Sequence, residues 1–487
     1  MLVRAALFTS LLIGGCAHAI DCPKRGGPAW TEWSSEHFTV RTDLDELEGR
    51  AFVVRLERSR AALLAAAWRG SPTPPGRVPV IVLRQRSELA RFAHDSIRGF
   101  VTSDLIGQRM MVVSDEGRRE GEVVLRHEIA HLLAGAFLLR QPHWLAEGLA
   151  TFLETIRLDE ETGKAVLGYP PDWALRQLGR RSPISVEGVL AWKKLTIGRE
   201  NADRYATSWL LVHYLLFERG AGFSDFQRRL MRAEDPELAF KAAFPELDLE
   251  ELDEALLEHL GTHLKSRTWP TFAVALPGWE GEIAGKPLSD AEVHATWAQL
   301  YLAGPDEQPA AERRKLADAE VEEAVREEPT NVSALLATRL LKLPLPERIA
   351  RARAAAAAHP DDWRGQLVLA RVLGGDDEAA EDKEIALRRA VELAPNNARA
   401  LVELARHLVR RKAFQQALPL ALRSSQLSPG NPGVLATVAA AYAGVGRCDE
   451  ASATLRRAID ALGHESDGRL LGRLNDELKG LASCRAP

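Results

Sequence analysis

The apolar positions of this 487-residue chain follow two periods, and the change from one to the other organises the sequence. In the first quarter, short runs of β-branched and aromatic residues predict strands. One, a strand or hairpin, spans Trp30 to Thr42 through Trp33, Phe38 and Val40, another Val78 to Leu83, and a third Gln108 to Asp115 with Met110, Met111, Val112 and Val113. Pro79 fits such a run only near its start, since it has no N–H for a ladder. Between the first two runs, Leu44 to Trp68 carries Leu47, Phe52, Val54, Leu56, Leu63, Leu64 and Ala67 at helical spacing and stops at Gly70-Ser71-Pro72. Ser87 is placed to cap a short helix reaching Ala93. From Val124 onward helical spacing prevails. It runs through Leu133, resumes from Pro142 to about Ile156, becomes strongly apolar over Arg204 to Arg219, and is acidic and amphipathic over Asp235 to Leu264. Residues 267–288 hold Pro270, Pro277 and Pro287 with Gly278, Gly281 and Gly285, show no period, and read as a linker.

Beyond that linker the pattern repeats. Pro329, Pro360, Pro395 and Pro429 follow one another at 31, 35 and 34 residues, each trailed by Asn or Asp: Asn331, Asp361-Asp362, Asn396-Asn397 and Asn431. A proline that stops one helix and an Asn or Asp that caps the next is the grammar of stacked helical hairpins. Small residues fall at matching offsets, Ala405 and Ala417 in one repeat and Ala439, Ala451 and Ala458, with Tyr442, in the next. Residues Asp290 to Leu481 therefore resemble tetratricopeptide (TPR) repeats, with a divergent first repeat near Trp297 and a terminal capping helix. The resemblance implies an all-α solenoid whose groove binds a peptide or protein partner, with a plain structural spacer as the rival reading.

Charge and cysteine content narrow the class. A formal net charge of −5 with no long basic run leaves no electrostatic footprint for nucleic acid. Met1 to Ala19 reads as an export signal: Arg4, the apolar run Ala5 to Ile13, then small residues, too short to span a bilayer. Leu12-Ile13-Gly14-Gly15-Cys16 resembles a bacterial lipobox, with Cys16 lipidated and anchoring the chain to a membrane. Ala17-His18-Ala19 also fits ordinary signal cleavage. The lipobox is favoured, because little else accounts for a cysteine that closes an apolar run after small residues. Both readings export the protein to a bacterial cell envelope, as a periplasm-facing lipoprotein or, if cut after Ala19, as a periplasmic or secreted protein. Four cysteines are too few for a disulfide scaffold. Cys448 and Cys484 either pair or remain two thiols, and Cys22 stays free if Cys16 is lipidated.

The candidate chemistry lies in the first long helical stretch. In His127-Glu128-Ile129-Ala130-His131 two imidazoles stand one turn apart on the same helix face, the spacing at which they can hold one metal ion. Glu128 is rotated about 100° from His127, placed to take a proton from a water rather than to ligate. Catalytic zinc takes three protein ligands and keeps a position for water. Glu147, sixteen residues after His131, opens the next helical stretch with enough chain between for the two helices to face each other. HEIAH followed by Pro142-His143-Trp144-Leu145-Ala146-Glu147-Gly148-Leu149-Ala150 resembles the gluzincin metallopeptidases, in particular the peptidase MA-like branch with W-L-x-E-G-x-A. That resemblance implies an α+β zincin-like domain, one Zn2+ on His127, His131 and Glu147, and Glu128 as general base.

Further roles follow from that reading. Peptide hydrolysis needs a donor for the developing oxyanion; Tyr205 is the first candidate and His213 the second, each with a core residue as its rival reading. Thr151 can hydrogen-bond a ligand, and Glu154, seven positions after Glu147, either orients substrate or a ligand or, the favoured reading, is simply solvated. Tyr169 and Trp173 are placed to wall a cleft. In the resembling family the strand before the metal helix is commonly the sheet edge along which an extended peptide lies, so Gln108 to Asp115 is expected there, with an interior strand as the alternative. No G-x-M-E-N-like stretch occurs between Gly99 and Asp115, which favours an endopeptidase over an aminopeptidase. The expected organisation is a signal segment at 1–19, a metallopeptidase domain at 28–266, the linker at 267–288 and TPR repeats at 289–484. The alternative function is a TPR scaffold lipoprotein with a non-catalytic zinc-binding domain.

Overall fold

Alternation along Phe38–Thr42 turns Phe38, Val40 and Thr42 to a buried face, and this strand lies inside a six-stranded mixed sheet. The computed structural model describes residues 22–71, 76–115, 118–192, 199–263, 268–276, 283–305, 309–337, 343–374, 379–462, 468–481 and 484. The export signal and Cys16 lie outside the described residues. In chain order the first elements are β1 (Thr31–Ser34), β2 (Phe38–Thr42), α1 (Glu46–Ala67), β3 (Val78–Leu83), α2 (Arg86–Leu89), β4 (Gly99–Ser103), β5 (Arg109–Ser114), α3 (Arg118–Phe137) and α4 (His143–Leu153). There follow β6 (Arg157–Asp159), β7 (Lys164–Val166), α5 (Asp172–Arg180), α6 (Val186–Leu190), α7 (Arg199–Glu218), α8 (Gly220–Met231), α9 (Pro236–Ala243), α10 (Leu249–Glu258), β8 (Thr271–Ala273) and β9 (Ala284–Pro287). The large sheet has the order β4-β5-β3-β2-β1-β9, and β6-β7-β8 form a small antiparallel sheet. The β2/β3 and β3/β5 pairs are parallel, whereas β4 runs antiparallel to β5.

The unbroken apolar runs of β3 and β5 reflect burial on both faces. Val80, Val82, Met111 and Val113 join the main core with Leu125 and Ile129 of α3 and Phe52 and Leu56 of α1. Ile81, Leu83, Met110 and Val112 join a second core with Trp297, Leu300 and Tyr301 of the helix Asp290–Ala303. The first solenoid helix thus serves as the outer layer of the sheet.

Three expectations change. Arg109–Ser114 is an interior strand, and the edge on that side is Gly99–Ser103, so the strand just before the metal helix is not the one open to an added chain. Residues 267–288 are not a free linker: Thr271–Ala273 completes the small sheet and Ala284–Pro287 pairs with β1. Pro287 ends an edge strand, where a missing N–H removes no ladder bond. Gln85, not Ser87, caps the short helix, with Glu88 reaching back to the Gln85 N–H at 3.1 Å.

From Ser289, whose hydroxyl accepts from the Glu292 N–H, the chain is helical. Helix pairs Asp290–Ala303/Ala310–Glu327, Val332–Ala337/Leu345–Ala358, Trp363–Val372/Ala380–Leu393, Ala398–Arg410/Phe414–Leu427 and Pro432–Gly444/Cys448–Leu462 stack in order, closed by Gly468–Gly480. This is an all-α solenoid of TPR-type hairpins. Asn331, Asp362, Asn397 and Asn431 each accept a backbone N–H from the first turn of the following helix. Ala405, Ala417, Ala439, Ala451 and Ala458 are buried where helices approach. Cys448 and Cys484 form a disulfide with Cα atoms 5.8 Å apart, and Cys22 is a buried free thiol. Among the described residues no helix is long and apolar enough to cross a membrane.

Candidate metal centre

α3 and α4 meet because each has an apolar stripe facing the core while their polar residues face one another. Leu125, Ile129, Leu132 and Leu133 bury one side of α3. In α4, Trp144 stacks on Phe226 at 5.9 Å and meets Phe240 edge-on at 5.9 Å, which fixes the helix against α8 and α9. Gly148 lets α4 lie against α7: a Cβ at this position would stand 2.5 Å from the Ser208 carbonyl oxygen. Glu147, the preceding residue, is thereby set deep and 7 % exposed.

The result is a triangle of donor atoms. His127 Nε2 and His131 Nε2 are 3.1 Å apart, and Glu147 Oε2 lies 3.5 Å from the first and 3.4 Å from the second. Donors about 2.0–2.1 Å from a tetrahedral ion are separated by about 3.3–3.4 Å, so these three edges fit a zinc-sized cation. Among the described residues Glu147 Oε2 is buried with no hydrogen-bond partner and faces the two imidazole nitrogens, an arrangement that favours a shared cation. Among the described residues this is the one group of three or more His, Cys, Asp or Glu side chains that can hold a metal ion.

The neighbours complete the chemistry. Glu154 is not solvated: it is 6 % exposed, accepts the His127 Nδ1–H at 2.7 Å and accepts Trp173 Nε1–H at 3.2 Å. That bond places the His127 proton on Nδ1 and leaves Nε2 to point its lone pair at the centre. Burial pulls the His127 pKa down, but the Glu147 and Glu154 carboxylates outweigh it and hold the ring above the ordinary histidine range, so a cation at Nε2 competes with a proton. Burial opposes ionisation of Glu147 as well, yet the two imidazoles keep it well below the usual carboxylate range. Glu128 shows the opposite balance: it is buried, its Oε2 has no partner among the described residues, and burial raises its pKa. Its methylene carbon packs on the start of β4, where a Cβ on Gly99 would come within 3.0 Å. A carboxylate so placed is a proton acceptor facing the edge strand.

The remaining predicted residues divide. The Tyr205 hydroxyl reaches the Glu147 carboxylate, and burial and the charges of Glu147 and Glu128 push its pKa up, so it stays a donor at any ordinary pH. His213 is elsewhere in the core, fully buried, with Nδ1 2.9 Å from His259 Nε2 and Nε2 3.2 Å from the Gly168 carbonyl. Both ring nitrogens are engaged away from the triangle, which removes it as an oxyanion donor. Thr151 is fully buried and its hydroxyl bonds no ligand. Trp173 supports Glu154, whereas Tyr169 stacks under Arg157 at 3.6 Å.

No protein family matches the chain, and no curated protein matches it. Its solved structural neighbours include a thermophilic TPR protein of Thermus thermophilus, 22% identical over 39% of this chain and 99% of that one, with a TM-score of 0.32. Others are the TPR protein YrrB, titled as having an unusual peptide-binding site, at 20%, 38%, 92% and 0.28, and the MamA protein at 17%, 35%, 91% and 0.27, in the same order. At these scores no functional conclusion follows from them.

Proposed function

We propose that the chain is a zinc-dependent endopeptidase of the gluzincin type, with a zincin-like catalytic half and a TPR solenoid that recruits a protein substrate or partner. The observation that carries the reading is the triangle of His127, His131 and Glu147 donors, at zinc-like separations, beside a partnerless buried carboxylate that ligation does not need. Bound zinc would polarise the scissile carbonyl and make an attacking water acidic. Glu128 takes the proton from that water and passes it to the leaving amine. Its raised pKa suits both halves of the task. Tyr205 donates its hydroxyl proton in a hydrogen bond to the oxygen on which negative charge develops. Glu154 keeps the His127 ring oriented. The substrate lies extended along β4, whose first residue touches Glu128 and whose outer edge is unpaired in the sheet.

Export belongs to the proposal. The Cys448–Cys484 disulfide suits an oxidising compartment, and the lipobox at Cys16 would tether the chain to an envelope membrane. The rival function, a scaffold with a non-catalytic zinc domain, is separated by one substitution. Glu128→Gln leaves every ligand in place, so zinc content should stay that of the wild type while cleavage of an unfolded protein such as casein falls by about a thousandfold or more. Equal cleavage by the two proteins refutes the peptidase assignment.

A further inference from the structure

The β4–β5 hairpin reaches into the solenoid. Its tip residue Ile106 is 6 % exposed and clusters with Leu367, Ala370, Leu404 and Leu408, so the loop is seated in the groove a peptide would otherwise fill. Seating it divides the groove. Along Ser103 to Met110 lies a cleft of about 1060 Å3. Beside it lies a basin of about 640 Å3 that shares Leu105, Leu336, Arg399 and Arg406 with it.

The basin is cationic. Among the described residues, Arg314, Arg371, Lys383, Arg399, Arg406 and Arg410 line it with one carboxylate, Glu403, while the buried Asp104 carboxylate interacts with Arg371. Glu403 pairs with Arg399 at 2.7 Å and with Arg406 at 3.2 Å. Arg314 and Arg410 have no ion-pair partner among the described residues. Burial and the nearby Arg410 charge lower the Lys383 pKa, as expected where like charges are gathered without enough counter-charge. Leu302 adds an apolar wall, and the next residue, Ala303, accepts the Thr102 hydroxyl of β4 at 3.3 Å. The basin therefore opens at the far end of the edge strand.

The two ends of β4 are thus marked by different chemistry. Gly99 touches Glu128, and Leu105, six residues on, walls the basin. A chain added to a strand advances with it at about 3.4 Å per residue over Gly99–Ser103, before the hairpin turns at Asp104 to Gly107, so a substrate lying on β4 meets the basin roughly 14–20 Å from the reacting bond. We infer that the protein selects extended polypeptides carrying a run of acidic residues about four to six positions from the bond to be cut, the run docking in the Arg314–Arg410 basin. This rests on the peptidase reading for the cut, but not for the docking.

Binding is read on the full chain carrying Glu128→Gln, with a fluorescent peptide containing a run of glutamates and its glutamine counterpart. The glutamate peptide should bind about tenfold tighter or more, weaken as salt is added, and lose that advantage in Arg314→Glu/Arg410→Glu, whose zinc content and circular dichroism are measured alongside. In the chain with Glu128 intact, cuts in acidic peptides should cluster about four to six residues from the run. Equal affinity for the two peptides, or charge-reversed basin residues that bind as well as wild type, overturns the inference. So does binding to anionic lipid vesicles with none to the peptide, or cutting at spacings unrelated to the acidic run. Tight, basin-dependent binding with no cutting by any form upholds the docking site and removes the peptidase reading instead.

Discussion

His127 shows how far one residue can be read from sequence and where reading stops. Its spacing from His131 and Glu128 is local and follows from helix geometry alone. The carboxylate that orients it is not local: Glu154 lies 27 positions on, and only the packing of α4 beside α3 brings it to 2.7 Å. A solvated glutamate and a ligand-orienting one look the same in sequence. Glu154→Ala should lower zinc affinity by about 10–100-fold while leaving the fold intact, measured by competition with a chromophoric chelator. Unchanged affinity would mean the His127 ring is held by something else. His213 failed for the converse reason, since an apolar helix carries a histidine into the core as readily as to a site. Asp43 makes a separate, pH-dependent case. Burial first and the nearby Glu88 charge second raise its pKa to about 6, although its side chain accepts the Arg84 N–H. A folded-state pKa above the unfolded one means protonation favours the fold, so stability falls as pH rises from about 4 to about 6 and stays lowered above. At about 1.4 kcal/mol per unit the loss is about 3 kcal/mol at most. Asp43→Asn should therefore be more stable than wild type at pH 8 by about 1–3 kcal/mol, an advantage that vanishes by pH 4 in urea melts.

At the scale of elements, the legible ones declare themselves by neighbours in sequence. Asn331, Asp362, Asn397 and Asn431 follow their prolines closely and cap the next helix, so the solenoid's hairpins could be counted in advance. Gly99–Ser103 could not, being five residues long with a glycine at its start and intermediate burial along most of its length. The antiparallel β4 is defined by pairing with β5, a long-range fact that no local period records. The same holds for residues 284–287, whose Gly and Pro imitate a linker until β1 supplies a partner. The α4/α7 contact offers a direct test of how an element sets the site. Gly148→Ala puts a methyl against the Ser208 carbonyl and Val212, and should cost about 1–3 kcal/mol while weakening zinc binding by shifting Glu147. Gly179→Ala, in α5 with open space at its Cβ, should be neutral or stabilising by up to about 1 kcal/mol. Equal effects of the two on urea midpoints would contradict the close packing of α4 on α7.

For the whole molecule, the solenoid and the sheet are not two beads on a string. The helix Asp290–Ala303 covers one sheet face, Arg41 binds Glu292 at 3.0 Å across the junction, and the β4–β5 tip is gripped by later hairpins. Their docking was not legible in advance because both partners have complete local signatures of their own, and the apolar second face of β3 and β5 only says that something covers it. The arrangement ties the edge strand, the triangle of His127, His131 and Glu147 and the solenoid into one frame, and the proposed function depends on those three donors sharing one ion. The decisive measurement is equilibrium zinc binding to the full-length chain and to its Glu147→Ala variant, with bound metal counted per chain. One zinc per wild-type chain, with affinity reduced by several orders of magnitude in Glu147→Ala, is the expected result; a wild type that binds no zinc, or a variant that holds it as tightly, would contradict the account.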